Sequence, residues 1–162
     1  MKKRLCAAVL ATSLIASSTT TAAEEKACYL PDEYIEYCFE AQENFGISAA
    51  LIASMIQVES SARNVKNGNC WGLLQVNTQH VADKNDLMDP EQNIRFGVSV
   101  LDECREKAED DIVLALMYYN GEPNAKKLYN QWLESDFSEY PTTYVCRVLE
   151  GAEAIESEWY GK

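Results

Sequence analysis

Twelve residues, from Ala49 to Ser60, constrain this chain more than any others, because they are apolar nearly all round. Ala49, Ala50, Leu51, Ile52, Ala53, Met55, Ile56 and Val58 leave a helix with no polar face. A helix of that kind sits at the centre of a domain, wrapped by other elements. Ser48 is a good N-cap for it. The run closes on Glu59 and Ser60. A carboxyl at the end of so apolar a helix is partly desolvated, which disfavours its charged form and raises its pKa. An acid still protonated near neutral pH is what cleavage of a glycosidic bond needs, because the leaving oxygen must take up a proton. A glutamate at a helix end is more often a surface residue, so Glu59 gains weight only from its neighbours.

Those neighbours read as further helices. Pro31 fits a first helical position, Tyr34, Tyr37, Cys38, Ala41 and Phe45 follow at helical spacing, and Gly46 ends the segment. Residues 61–69 are polar, with Asn64, Asn67, Gly68 and Asn69, and read as a loop. Trp71 to Asn77 is a short apolar stretch of irregular chain or small strand. Asp89-Pro90, with Gln92 three residues after the cap, opens a helix with Ile94, Val98, Leu101 and Cys104 inward. Asp110 or Asp111 caps a strongly apolar helix, Ile112 to Tyr119. Leu128, Trp132 and Leu133 mark a fifth helix, and Tyr144, Val148, Ala152 and Ile155 a last, amphipathic one. Alternating strand patterns are nearly absent, so the expected fold class is all-α, built round the buried helix that ends at Glu59.

The N-terminus reads as an export signal, residues 1–23. Lys2, Lys3 and Arg4 precede an apolar run from Leu5 to Ala16, and Thr21 and Ala23 are the small residues flanking a cut after Ala23. The run is too short to span a bilayer, so no stable membrane anchor is expected. Residues 24–162 then form one domain, secreted across the inner membrane to a periplasmic or extracellular location. Losing those three cations takes the formal charge from −12 to −15, which excludes electrostatic binding of nucleic acid. Cys6 leaves with the signal. Cys28, Cys38, Cys70, Cys104 and Cys146 remain, and in an exported chain they predict two intrachain disulfides and one thiol, in any of the possible pairings. No metal site is expected, since His80 is the only histidine and no Cys-x-x-Cys occurs.

Four segments carry a family resemblance. They are Glu59-Ser60; Gly72-Leu73-Leu74-Gln75-Val76-Asn77; Asp89-Pro90 with Asn93-Ile94 and Gly97; and Leu116 to Tyr119-Asn120. In this order they resemble the soluble lytic transglycosylases, whose fold core is similar to goose-type lysozyme. The resemblance covers about Phe45 to Pro123. Leu74 stands where Met is common, and Gly121-Glu122-Pro123 where Ala-Gly-Pro is usual. The resemblance implies a lysozyme-like helical domain with Glu59 as catalytic acid and then base. It implies that Ser60 orients Glu59 or meets substrate, that Gln75 and Asn77 line the sugar groove, that Tyr119 holds the Glu59 carboxyl and that Asn120 contacts an acetamido group. The implied substrate is the peptidoglycan glycan strand, with no cofactor. A secretion or conjugation apparatus is a possible partner. Trp71 is a candidate stacking face for a sugar ring.

A single motif carboxylate fits this family's chemistry, in which the substrate's own N-acetyl group and 6-hydroxyl replace a second one. Most glycoside hydrolases need two. Asp83 and Asp86 lie in a polar loop, and Asp89 is explained as a cap. A lysozyme-like muramidase and a non-catalytic glycan-binding module are the alternatives. Cys70-Trp71 echoes papain-like proteases, but their histidine lies far downstream, whereas His80 is ten residues on.

Overall fold

The apolar helix does occupy the middle. The structure is a computed structural model that describes residues 26–161; the expected export signal and Cys6 lie outside them. Six helices make the frame: α1 (Asp32–Phe45), α2 (Ala49–Ser60), α3 (Pro90–Lys107), α4 (Ile112–Tyr119), α5 (Ala125–Leu133) and α6 (Thr143–Tyr160). The fold is all-α and lysozyme-like. Nine of the twelve residues of α2 are buried, and its largest interface is with α6. There the buried Ser54 hydroxyl donates to the Val148 carbonyl at 2.7 Å. A Cβ on Gly151 would collide with that hydroxyl, so the close approach of α2 and α6 depends on glycine.

The helix ends follow local chemistry. Gly46 closes α1 at φ +68, a conformation glycine adopts without cost. Asp89 accepts from the Gln92 amide at 2.9 Å with Pro90 at the start of α3, and Asp111 accepts from the Leu114 amide at 2.9 Å. Ser48 stands at the N-cap position of α2 but its side chain makes no capping bond. The Ala49 amide is met instead by the Gln42 side chain at 2.8 Å, so α1 caps α2 across the turn.

The polar stretch after α2 is more ordered than its composition suggests. Val65–Asn67 (β1), Cys70–Gly72 (β2) and Val76–Asn77 (β3) form a three-stranded antiparallel sheet in the order β1-β2-β3. Asn67 pairs with Cys70 across the two-residue turn Gly68-Asn69, with Gly68 at φ +58. The strands have two or three residues each, too few to leave an alternating pattern.

One side chain fastens this sheet to the helices. Asn93 is fully buried on α3. Its amide donates to the Trp71 carbonyl at 2.9 Å and to the Leu87 carbonyl at 3.0 Å, and its oxygen accepts from the Leu74 amide at 2.8 Å. Gly72 is required beside it, because a Cβ there would strike the Asn93 amide, and its φ is +83. Gly97, one turn on, makes room for Leu74. The α3 motif residues thus hold the segment that carries Gln75 and Asn77.

All five cysteines among the described residues are free thiols, so the two expected bridges are not formed here. No helix among these residues is long and apolar enough to cross a membrane.

The Asn93 account predicts a large effect for Asn93→Ala. Three buried backbone groups would lose their partners, each costing about 1–3 kcal/mol, so the total expected is about 3 kcal/mol or more. Chemical denaturation measures it. A loss below about 0.5 kcal/mol, as at an ordinary surface site, would show that the sheet is held by other means.

Candidate functional site

Glu59 lies in the last turn of α2, half-buried. Burial pushes its pKa up, as the apolar helix requires, and one hydrogen bond opposes that shift. The donor is the Tyr144 hydroxyl, 2.7 Å from Glu59 Oε1, reaching in from the first turn of α6. Burial and the neighbouring Glu59 charge push the Tyr144 phenol far above its ordinary range, so it remains a donor at any working pH. No hydrogen bond to Oε2 occurs among the described residues, which leaves that oxygen as the one able to carry a transferable proton.

Tyr119 does not hold the Glu59 carboxyl, as the family resemblance implied. Its hydroxyl donates to the Leu74 carbonyl at 2.7 Å. It stays within electrostatic reach of Glu59, since burial first and the Glu59 charge second raise its pKa. Its role is to tie the end of α4 to the segment bearing Gln75. Of the two roles implied for Ser60, the structure fits support of Glu59 and not contact with a sugar. Ser60 is buried, and its hydroxyl donates to the Ile56 carbonyl at 3.1 Å. It therefore supports the helical turn that carries Glu59 and is not open to a sugar.

Gln75, Asn77, Tyr119 and Asn120 come together. With Cys70 and His80 among others, they line a cavity of about 350 Å³; Glu59 and Ser60 are not among its lining residues. Tyr119 connects the two places, because it lines the cavity and feels the Glu59 charge. Gln75 sits at φ +48, a conformation disfavoured for a side-chain-bearing residue. Its amide nitrogen donates to the Val65 and Gly72 carbonyls at 3.1 and 2.8 Å, leaving its oxygen as the free end. Asn77 caps the 3-10 turn Thr78–His80 by accepting from the Gln79 amide at 3.1 Å. Asn120 is exposed at the end of α4.

The lining of this cavity contains no Asp, Glu, Lys or Arg, although the chain's formal charge is −12. Amides, hydroxyls and an imidazole suit uncharged hydroxyl and acetamido groups. Trp71 takes no part in it. Its ring is covered by the Lys66 ammonium at 3.8 Å, and its indole N–H donates to the Gly68 carbonyl at 2.9 Å. The loop carboxylates are accounted for in part: Asp83 and Asp89 both cap local turns.

Two residues of the site escaped sequence reasoning. Tyr144 appears in the sequence only as one member of an amphipathic stripe, 85 residues from Glu59. Asn93 belongs to a motif, but its spacing does not reveal what its side chain meets. A polar residue amid the apolar positions of α3 is the signal that was available.

Among solved structures, the fold is similar to that of an inactive Glu-to-Gln mutant of the lytic transglycosylase Slt from Pseudomonas aeruginosa. The match has a TM-score of 0.63 and 20% identity over 80% of this chain. This chain covers 25% of that protein's length, so the likeness concerns the fold of one part of it. The family described as Transglycosylase SLT domain matches residues 36–139, most of the chain. With this match and the helical frame built round α2, the chain belongs to the transglycosylase SLT domain family.

Proposed function

We propose that this protein is a peptidoglycan lytic transglycosylase, and that Glu59 serves it as general acid and then as base. One observation carries the reading. The desolvated Glu59 carboxyl is held by Tyr144 and linked through Tyr119 to an uncharged, amide-lined cavity.

The bond cleaved is the β-1,4 link from N-acetylmuramic acid to N-acetylglucosamine. Protonated Glu59 donates from Oε2 to the leaving oxygen while Tyr144 fixes Oε1. The substrate's own acetamido oxygen stabilises the cationic muramyl carbon. The Glu59 carboxylate then removes the proton from the muramyl 6-hydroxyl, whose oxygen closes on that carbon. Water is not consumed, and the product is a 1,6-anhydro end. Gln75, Asn77 and Asn120 position the sugars, with Asn120 on an acetamido group. The chain is exported and works in the periplasm or outside the cell, where the wall lies.

Digestion of purified peptidoglycan tests the reaction. Products should end in 1,6-anhydro-muramic acid, each lighter by one water than a lysozyme product. Hydrated reducing ends alone would make the enzyme a muramidase.

Glu59→Gln tests the acid. Gln keeps the size of a protonated Glu but has no proton to give. General acid help is worth about 10²–10⁴-fold, and with the base step also lost, muropeptide release should fall by about 10⁴-fold. Glu43→Gln, on the exposed side of α1, should stay active. Glu59→Gln should also gain stability at neutral pH. A raised folded pKa means that Glu59 contributes fully below its ordinary value of about 4.5 and loses stability as pH rises through the folded value. Gln removes that loss. Thermal melts should show Glu59→Gln above wild type at pH 7, with the gap closing towards pH 4. An equal gap at both pH values would contradict the desolvation of Glu59.

A further inference from the structure

The N-terminal strap, residues 27–30, is fixed at both of its neighbours by side chains. Gln57 on α2 accepts from the Tyr29 amide at 2.9 Å and donates to the Ala27 carbonyl at 3.1 Å. Glu158 near the end of α6 accepts from the Ala27 and Cys28 amides at 2.5 and 3.3 Å. The strap therefore clamps the last turn of α2, two residues before Glu59, to the end of α6. Cys28 lies buried within it.

Cys38 is fully buried on α1. The next residue, Phe39, packs on Trp159 with ring centroids 5.2 Å apart. Trp159 follows Glu158, which holds the Cys28 amide. Each cysteine thus sits beside a contact to the same end of α6, Cys28 through its own amide and Cys38 through its neighbour Phe39. Cys28 is close enough to Cys38 to raise its pKa, second in size after burial.

We infer that Cys28 and Cys38 are the pair that forms a disulfide when the chain meets an oxidising compartment, locking the strap onto α1 beside the catalytic helix end. The two Sγ–H bonds break and one Sγ–Sγ bond forms. Two protons and two electrons pass to a disulfide oxidant, which is reduced to two thiols. The bond closes a short loop and holds the strap on Gln57. In the reduced chain only hydrogen bonds and packing do so.

The test is peptide mapping of the full chain, folded in a buffer of oxidised and reduced glutathione and alkylated without reduction. Cleavage after glutamate at Glu33, Glu36 and Glu40 separates the two cysteines. Residues 26–33 should appear joined to residues 37–40, lighter by two hydrogens than their sum. Alkylated free thiols at both positions, or Cys28 joined to Cys70, Cys104 or Cys146, would overturn the pairing. Hydrogen exchange supplies the second reading. The Tyr29 amide should exchange several-fold faster after reduction, and in Cys28→Ser under oxidising conditions. Equal exchange in all three states would overturn the locking of the strap. Neither reading uses glycan cleavage, so both stand or fall apart from the proposed activity.

Discussion

Everything in this molecule turns on a carboxyl placed at the end of a helix that has no polar face. Burial of α2 is favourable because its side chains are apolar, at roughly 25 cal/mol per Å² removed from water. The same burial works against the charged form of Glu59. The Tyr144 hydroxyl prevents the group from being simply expelled, since it supplies one hydrogen bond at 2.7 Å. The balance leaves the carboxyl raised in pKa yet oriented, as the proposed role of acid and then base requires. The close packing of α2 on α6, set by Ser54 and Gly151, brings Tyr144 to that position.

The rest of the site is assembled on a different principle. Gln75 and Asn77 lie on a sheet too short to be stable alone. Asn93 compensates by adding three buried hydrogen bonds to the packing of Leu74 on α3. Tyr119 adds a fourth tie through the Leu74 carbonyl. The result is a polar wall held by a rigid helix. Acidic residues lie elsewhere on the surface and none lines the cavity, so the strong negative charge of the chain does not decide what the cavity accepts.

The helical frame was legible because each helix carries its own signal. Asp89, Pro90 and Gly46 mark ends by chemistry that acts within a few residues, and the apolar run from Ala49 marks the centre. Glu59 was legible for the same reason, as its desolvation follows from its own helix. The carboxyl's partner was not. Tyr144 meets Glu59 only through the packing of two helices 85 residues apart, and Tyr119, nearer in motif order, was credited with its role. Of the two roles implied for Ser60, support of Glu59 fits the structure and contact with substrate does not. The Ser60 hydroxyl has an acceptor four residues back on its own helix, a bond open to any serine in that setting. Of the sheet, only a small strand within Trp71 to Asn77 was anticipated as one alternative and β1 was read as loop, because two-residue and three-residue strands have no period to read.

The most direct test of the central claim is the titration of Glu59 itself, followed by the carbon-13 shift of its carboxyl in wild type and in Tyr144→Phe. Desolvation opposed by one hydrogen bond requires a wild-type pKa above the ordinary value of about 4.5, and a higher one when the hydroxyl is removed. A wild-type value at or below 4.5, or a fall in Tyr144→Phe, would contradict the account.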